Sequence, residues 1–146
     1  MKIFIKTILL LHMCLTLLSC SSMSQKPAEL VCVITFEDGF DNDVLTFNIN
    51  ACSVIKKEVI SSDASDGVTN IQVYLYKGKN NLQIKAYDDD KLICQIPITE
   101  DLVLEIILNG TQKEFKVDLS KGKFIGIKQS DLNVEMNQNK TQTLYD

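Results

Sequence analysis

Three residue types are almost missing from this 146-residue chain. It has no tryptophan and no arginine, and its one histidine, His12, sits near the amino terminus. A serine or cysteine nucleophile usually takes its general base from histidine. Bidentate clamping of phosphate or carboxylate usually needs the arginine fork. Zinc sites rely on His and Cys at close spacing, whereas Cys32, Cys52 and Cys94 are far apart in sequence. These gaps set aside the commonest hydrolytic, phosphate-binding and zinc chemistries, and the chain is expected not to be an enzyme. Carboxylate, lysine and tyrosine chemistry is what the composition leaves open.

Long apolar runs are scarce too. The longest, Ile8 to Leu18, is broken by His12, Cys14 and Thr16 and falls short of the roughly 20 residues that cross a bilayer. Before it comes the basic stretch Met1-Lys2-Ile3-Phe4-Ile5-Lys6, and after it Leu17-Leu18-Ser19-Cys20. That order of basic, apolar and small residues is the pattern of a signal peptide.

In Leu17-Leu18-Ser19-Cys20 the chain resembles bacterial lipoproteins: a leucine stands three positions before the cysteine and a small residue directly before it. The resemblance covers these twenty residues only. It implies diacylglyceryl transfer to the Cys20 thiol, cleavage before Cys20, and acylation of the new amino terminus. Two or three acyl chains anchor stably where one does not. Ser21, in place of an aspartate, implies the outer membrane and its periplasmic face in a two-membrane cell. No acidic run follows Cys20 that would resemble a surface-export signal. The expected organisation is a lipoprotein signal peptide over 1–19, a lipidated tether over 20–29, a domain over 30–128, and a polar tail or extra strand over 129–146.

Cleavage would leave 127 residues, enough to bury roughly two-thirds of the unfolded surface in a single core. With Lys2 and Lys6 removed, 13 lysines face 19 carboxylates, a net charge of −6. A mildly acidic domain without a clustered basic face is no nucleic-acid binder.

The body of the chain has a period of two. Leu45, Phe47 and Ile49 alternate with polar neighbours, as do Ile71, Val73 and Leu75, then Leu82, Ile84 and Ala86, then Phe115, Val117 and Leu119. Such alternation marks half-buried antiparallel strands. Asp38-Gly39, Asp66-Gly67, Gly78-Lys79-Asn80-Asn81, Asp88-Asp89-Asp90, Asn109-Gly110 and Lys121-Gly122 punctuate the runs as turns. About nine strands result, near 30–36, 43–49, 52–60, 70–76, 81–87, 91–98, 102–108, 111–118 and 123–128. Leu132, Val134 and Met136 are candidates for a tenth. The expected fold is all-β, an antiparallel β-sandwich of immunoglobulin-like or jelly-roll-like character, with a closed barrel as the alternative.

With Cys20 acylated, three thiols remain and at most one pair can form. Cys32 lies between Val31 and Val33, and Cys94 lies in line with Leu92 and Ile96. Both have the placement of buried free thiols. Three free thiols are therefore expected, with one disulfide as the alternative open to an exported chain.

If successive strands reverse, the connections after the first, third, fifth and seventh strands share one end. They carry Glu37, Asp38, Asp41 and Asp43, then Asp63 and Asp66, then Asp88, Asp89 and Asp90, and last Asn109. Lys77, Lys79, Lys121 and Lys123 fall at the other end, interrupted by Glu100 and Asp101. Ca²⁺ takes six to eight oxygens, so Asp41, Asp43, Asp88 and Asp90 are candidate ligands for it. The plainer explanation is that Asp and Asn sit in turns because their side chains bond their own backbone. No EF-hand spacing is present. Tyr74, Tyr76 and Tyr87 fall on the polar side of their strands and suggest a carbohydrate platform, against the commoner role of covering a sheet face. The functional expectation is a membrane-anchored, non-catalytic binding or scaffolding module with a protein or glycan partner. The alternative is a periplasmic inhibitor or immunity-type protein that blocks an enzyme.

Overall fold

The computed structural model describes residues 28–87, 91–98, 101–130 and 133–141. The leader and Cys20 lie outside these residues, as do Asp88, Asp89, Asp90, Glu100 and Leu132. Ten strands follow in chain order: β1 Glu29–Phe36, β2 Asp43–Ile49, β3 Cys52–Ile60, β4 Gln72–Lys77, β5 Asn81–Ala86, β6 Lys91–Pro97, β7 Leu102–Leu108, β8 Thr111–Val117, β9 Phe124–Ser130 and β10 Asn133–Asn139. A 3₁₀ turn, Leu119–Lys121, precedes β9. Within 129–146, expected as a polar tail or an extra strand, residues 133–139 are a strand that holds Val134 and Met136 and pairs along its whole length with β9.

The strands form two sheets packed face to face, a six-stranded one in the order β10-β9-β1-β4-β5-β6 and a four-stranded one in the order β3-β2-β7-β8. The chain is an all-β sandwich. Every pairing is antiparallel except β1 with β9, which run parallel. That exception fits strict reversal, because two odd-numbered strands laid side by side must point the same way. The connections after β1, β3 and β7 therefore emerge at one end of the sandwich.

Alternation explains which faces meet. Leu45, Phe47 and Ile49 of β2 and Leu102, Leu104, Ile106 and Leu108 of β7 face Cys32, Ile34 and Phe36 of β1, with Val73, Leu75, Ile84, Ile125 and Ile127 beside them. Phe36 makes edge-on contacts with Phe47 (centroids 5.2 Å apart) and Phe40 (6.0 Å) at the centre of the core. The hairpin between β7 and β8 turns on Asn109 (φ 50°) and Gly110 (φ 85°), the two positive φ values of a type I′ turn.

Cys52 and Cys94 form a disulfide between β3 and β6, which corrects the expectation of three free thiols. Periodicity put Cys94 in line with Leu92 and Ile96, of which Leu92 is 47 % exposed past a register shift in β5–β6, and it could not say which edge strands share a side of the sandwich. β3 and β6 do, with Cα atoms 6.4 Å apart, inside the usual bridging range. Cys32 alone remains free among the described cysteines, and burial pushes its thiol up to about 12.

Candidate functional site

The acidic end is a set of three locked loops. Residues 37–42, after β1, are tied to residues 61–69, after β3. The Phe40 amide donates to Ser62 Oγ at 3.0 Å, that hydroxyl donates to the Glu37 carbonyl at 2.8 Å, and the Asn42 amide donates to Ser61 Oγ at 2.9 Å. Main-chain bonds from Ser62 to Phe40 and from Thr69 to Phe36 complete the seam. The third loop joins through Asn109. Its side-chain amide donates to Asp43 Oδ1 at 2.5 Å, and its side-chain oxygen accepts from the Val44 amide at 2.9 Å.

Most carboxylates here serve the backbone. Asp43, only 6 % exposed, accepts from the Asp41 amide on its second oxygen. Asp38 accepts from the Gly39 amide, and Asp66 from the Val68 amide. Asp63 accepts from the amide and hydroxyl of Ser65, and these bonds hold its carboxyl below its ordinary value. Glu37, 7 % exposed, pairs with Lys128 at 3.5 Å. Asp41 and Asp43 are brought together, but Asp43 has both oxygens engaged with N–H donors. Asp88 and Asp90 lie outside the described residues. Among the described residues no group of three or more His, Cys, Asp or Glu side chains is arranged to hold a metal ion. The end presents Asp38, Asp41, Asp63 and Asp66 to solvent on a rigid frame.

The tyrosines divide. Tyr74 and Tyr76 stack on the outer face of the six-stranded sheet (centroids 6.5 Å, 23° between planes), with Lys85 Nζ 5.1 Å from the Tyr76 ring centre. Pairing extends this row through Val33 to Phe124. Tyr87 does not join them: its place in the hairpin sets it at the far end from Tyr76, and it also leaves the polar side expected of it. At φ 64° the backbone turns, and the ring packs against the core with its hydroxyl bonded to Glu58 on β3. Burial first, and then Glu58, pushes the Tyr87 phenol up to about 12.

The sheet edges are guarded. On β8, Lys113 has the parity of Phe115 and Val117, and its Nζ reaches across the opening to donate to the Val134 carbonyl on β10 at 2.6 Å. An inward charge on an edge strand discourages strand addition. β3 carries Lys56 and Lys57, the latter at φ 50°, and β6 ends in Pro97. The parity of Lys113 was readable in the sequence; its partner on β10 was not.

Comparison with protein-family models, with curated proteins and with solved structures returns no match. Among the described residues, no helix is long and apolar enough to cross a membrane.

Proposed function

We propose that this chain is a lipid-anchored envelope protein whose sandwich is a non-catalytic binding module, and that the acidic loop end meets a basic partner protein. The observation that carries the envelope reading is the Cys52–Cys94 bridge between the two sheets. Structural disulfides persist in oxidising compartments, which fits the signal peptide and the lipidation motif at Cys20. Support for the contact face comes from rigidity. Loops already tied by Ser61, Ser62 and Asn109 lose little conformational entropy on binding. Guarded edges leave loop contact as the simpler mode. An inhibitor of a basic enzyme would use the same preorganised acidic face and differs in forming a tight one-to-one complex.

Photo-crosslinking in intact cells tests the contact. A crosslinker replacing Asp38 or Asp66 is expected to capture one dominant partner, and the capture is lost when Asp41 and Asp63 become lysine. Capture from Lys116 on the opposite part of the four-stranded sheet, with none from the acidic end, would sink the assignment. Labelling with a clickable palmitate, present in the native protein and absent from Cys20→Ser, checks the anchor.

A further inference from the structure

At the end opposite the acidic loops, residues at or beside the ends of β1, β4, β5, β6, β9 and β10 surround a groove of about 550 Å³. Its floor is apolar, formed by Leu30, Val31, Leu82, Ile98 and Leu119, and its rim carries Lys77, Lys123 and Lys140. Ile98, 50 % exposed, brings an aliphatic side chain to the groove within reach of solvent. Among the described residues one carboxylate lines the groove, Glu29, and it sits 3.7 Å from Lys77. Of the neighbouring acids, Asp118 accepts from the amide and hydroxyl of Ser120 to close the 3₁₀ turn, and Asp101 begins the approach to β7.

The position of this groove relative to the tether matters as much as its lining. β1 begins at Glu29, on the groove itself, so the chain running back to Cys20 leaves from this end. Residues 20–27 reach at most about 30 Å when fully extended. A domain held that closely presents this end to the bilayer. Anionic phospholipid surfaces attract lysines within a Debye length and repel carboxylates. Lysines on the rim match a phosphate, and the aliphatic floor matches the glycerol and upper acyl region beneath it.

We infer that this groove seats the phosphate headgroup of an anionic phospholipid in the membrane that holds the tether, so that the domain stands with its acidic loops directed away from the bilayer. The inference rests on the lipid-anchor reading. It makes the fold a spacer of fixed polarity, in which the chain enters at the lipid-facing end and the partner-facing carboxylates lie at the other.

The absence of tryptophan gives a clean probe. Ile98→Trp places an indole at the groove, and Val44→Trp, at a residue 40 % exposed beside the acidic end, places a control. Each full-length protein is reconstituted into phosphatidylcholine vesicles with and without phosphatidylglycerol. The indole at position 98 is expected to shift to the blue and to be quenched by brominated lipid several-fold more when phosphatidylglycerol is present. The indole at position 44 is expected to stay solvent-exposed. Lys77→Glu with Lys123→Glu and Lys140→Glu removes the difference, and Lys56→Glu, on an exposed part of β3, retains it. An indole at 98 that reports water in both vesicles overturns the proposal. A response to inorganic phosphate alone, with none to phosphatidylglycerol, also overturns it, since the groove would then bind a free anion. Palmitate labelling of the same samples separates the two readings: unlabelled protein with the phosphatidylglycerol response intact refutes the anchor and keeps the groove.

Discussion

Asp43 and Asn109 stand 66 positions apart in the chain, yet their side chains meet at 2.5 Å and join the start of β2 to the β7–β8 turn. Asp43 is an acceptor on both oxygens, to Asn109 and to the Asp41 amide. Asn at position 43 keeps one acceptor and turns a donor toward an N–H. Asp43→Asn is therefore expected to cost about 1–3 kcal/mol, the range for stranding a buried polar group. A denaturant melt measures it, and Asn109→Ala in the same background should add less than its effect alone. Melts in Ca²⁺ and in EDTA are expected to superimpose, because cation binding would have to strip Asp43 from both donors. A calcium-dependent rise lost in Asp43→Asn would overturn that view.

The bridge between Cys52 and Cys94 closes a loop of 42 residues. Loop-closure entropy for that length corresponds to about 4 kcal/mol. The variant with Cys52→Ala and Cys94→Ala is expected to lose most of that in a urea titration. Without reductant, Cys32 should react with a thiol reagent only after unfolding, as a buried group whose thiolate is disfavoured. Fast labelling of the native protein would contradict the placement of Cys32 in the core.

Alkaline pH tests Tyr87. Its phenol titrates at about 12 in the folded chain against 10.0 ordinarily, so the folded state holds the proton more tightly. The sign follows from linkage: this contribution is fully present below pH 10 and is lost as pH rises from about 10 to 12. Stability of the native protein should fall more steeply across that window than stability of Tyr87→Phe. Equal slopes would mean that the phenol is as solvated as in the unfolded chain.

Two glycines should respond differently to a methyl group. A Cβ on Gly39, at φ 95°, would lie 1.9 Å from the Gln129 carbonyl oxygen, a backbone atom that cannot step aside. Gly110, at φ 85°, has nothing within 4 Å of the same position. Gly110→Ala should cost only the left-handed strain, about 1–2 kcal/mol. Gly39→Ala should cost clearly more and loosen the acidic loops, seen as faster amide exchange at residues 37–42. Equal losses would rule out the close approach of Gly39 to β9.

The strands were largely legible because burial against one face imposes a period of two on the residues themselves. Leu45-Thr46-Phe47-Asn48-Ile49 can do little else than lie flat with one side covered, and Asn109-Gly110 supplies the two positive φ values of its turn locally. The shared end of the loops after β1, β3 and β7 was legible for the same reason, since reversal is a property of consecutive strands. Tyr87 was misplaced because its turn to φ 64° breaks the alternation at one residue, and no neighbour announces it.

Local pattern thus specified most of the inward positions, where the chain turns, and that the carboxylates following β1 and β3 share one end. Tertiary structure decided the rest: that β3 and β6 become edges on one side and bring Cys52 to Cys94, that β10 closes onto β9, that Asp43 serves Asn109, and that Lys77, Lys123 and Lys140 share one groove. The reason is physical. Alternation constrains a strand only relative to its own sheet face, whereas the order of strands depends on how two whole faces pack, a sum over residues far apart in the chain.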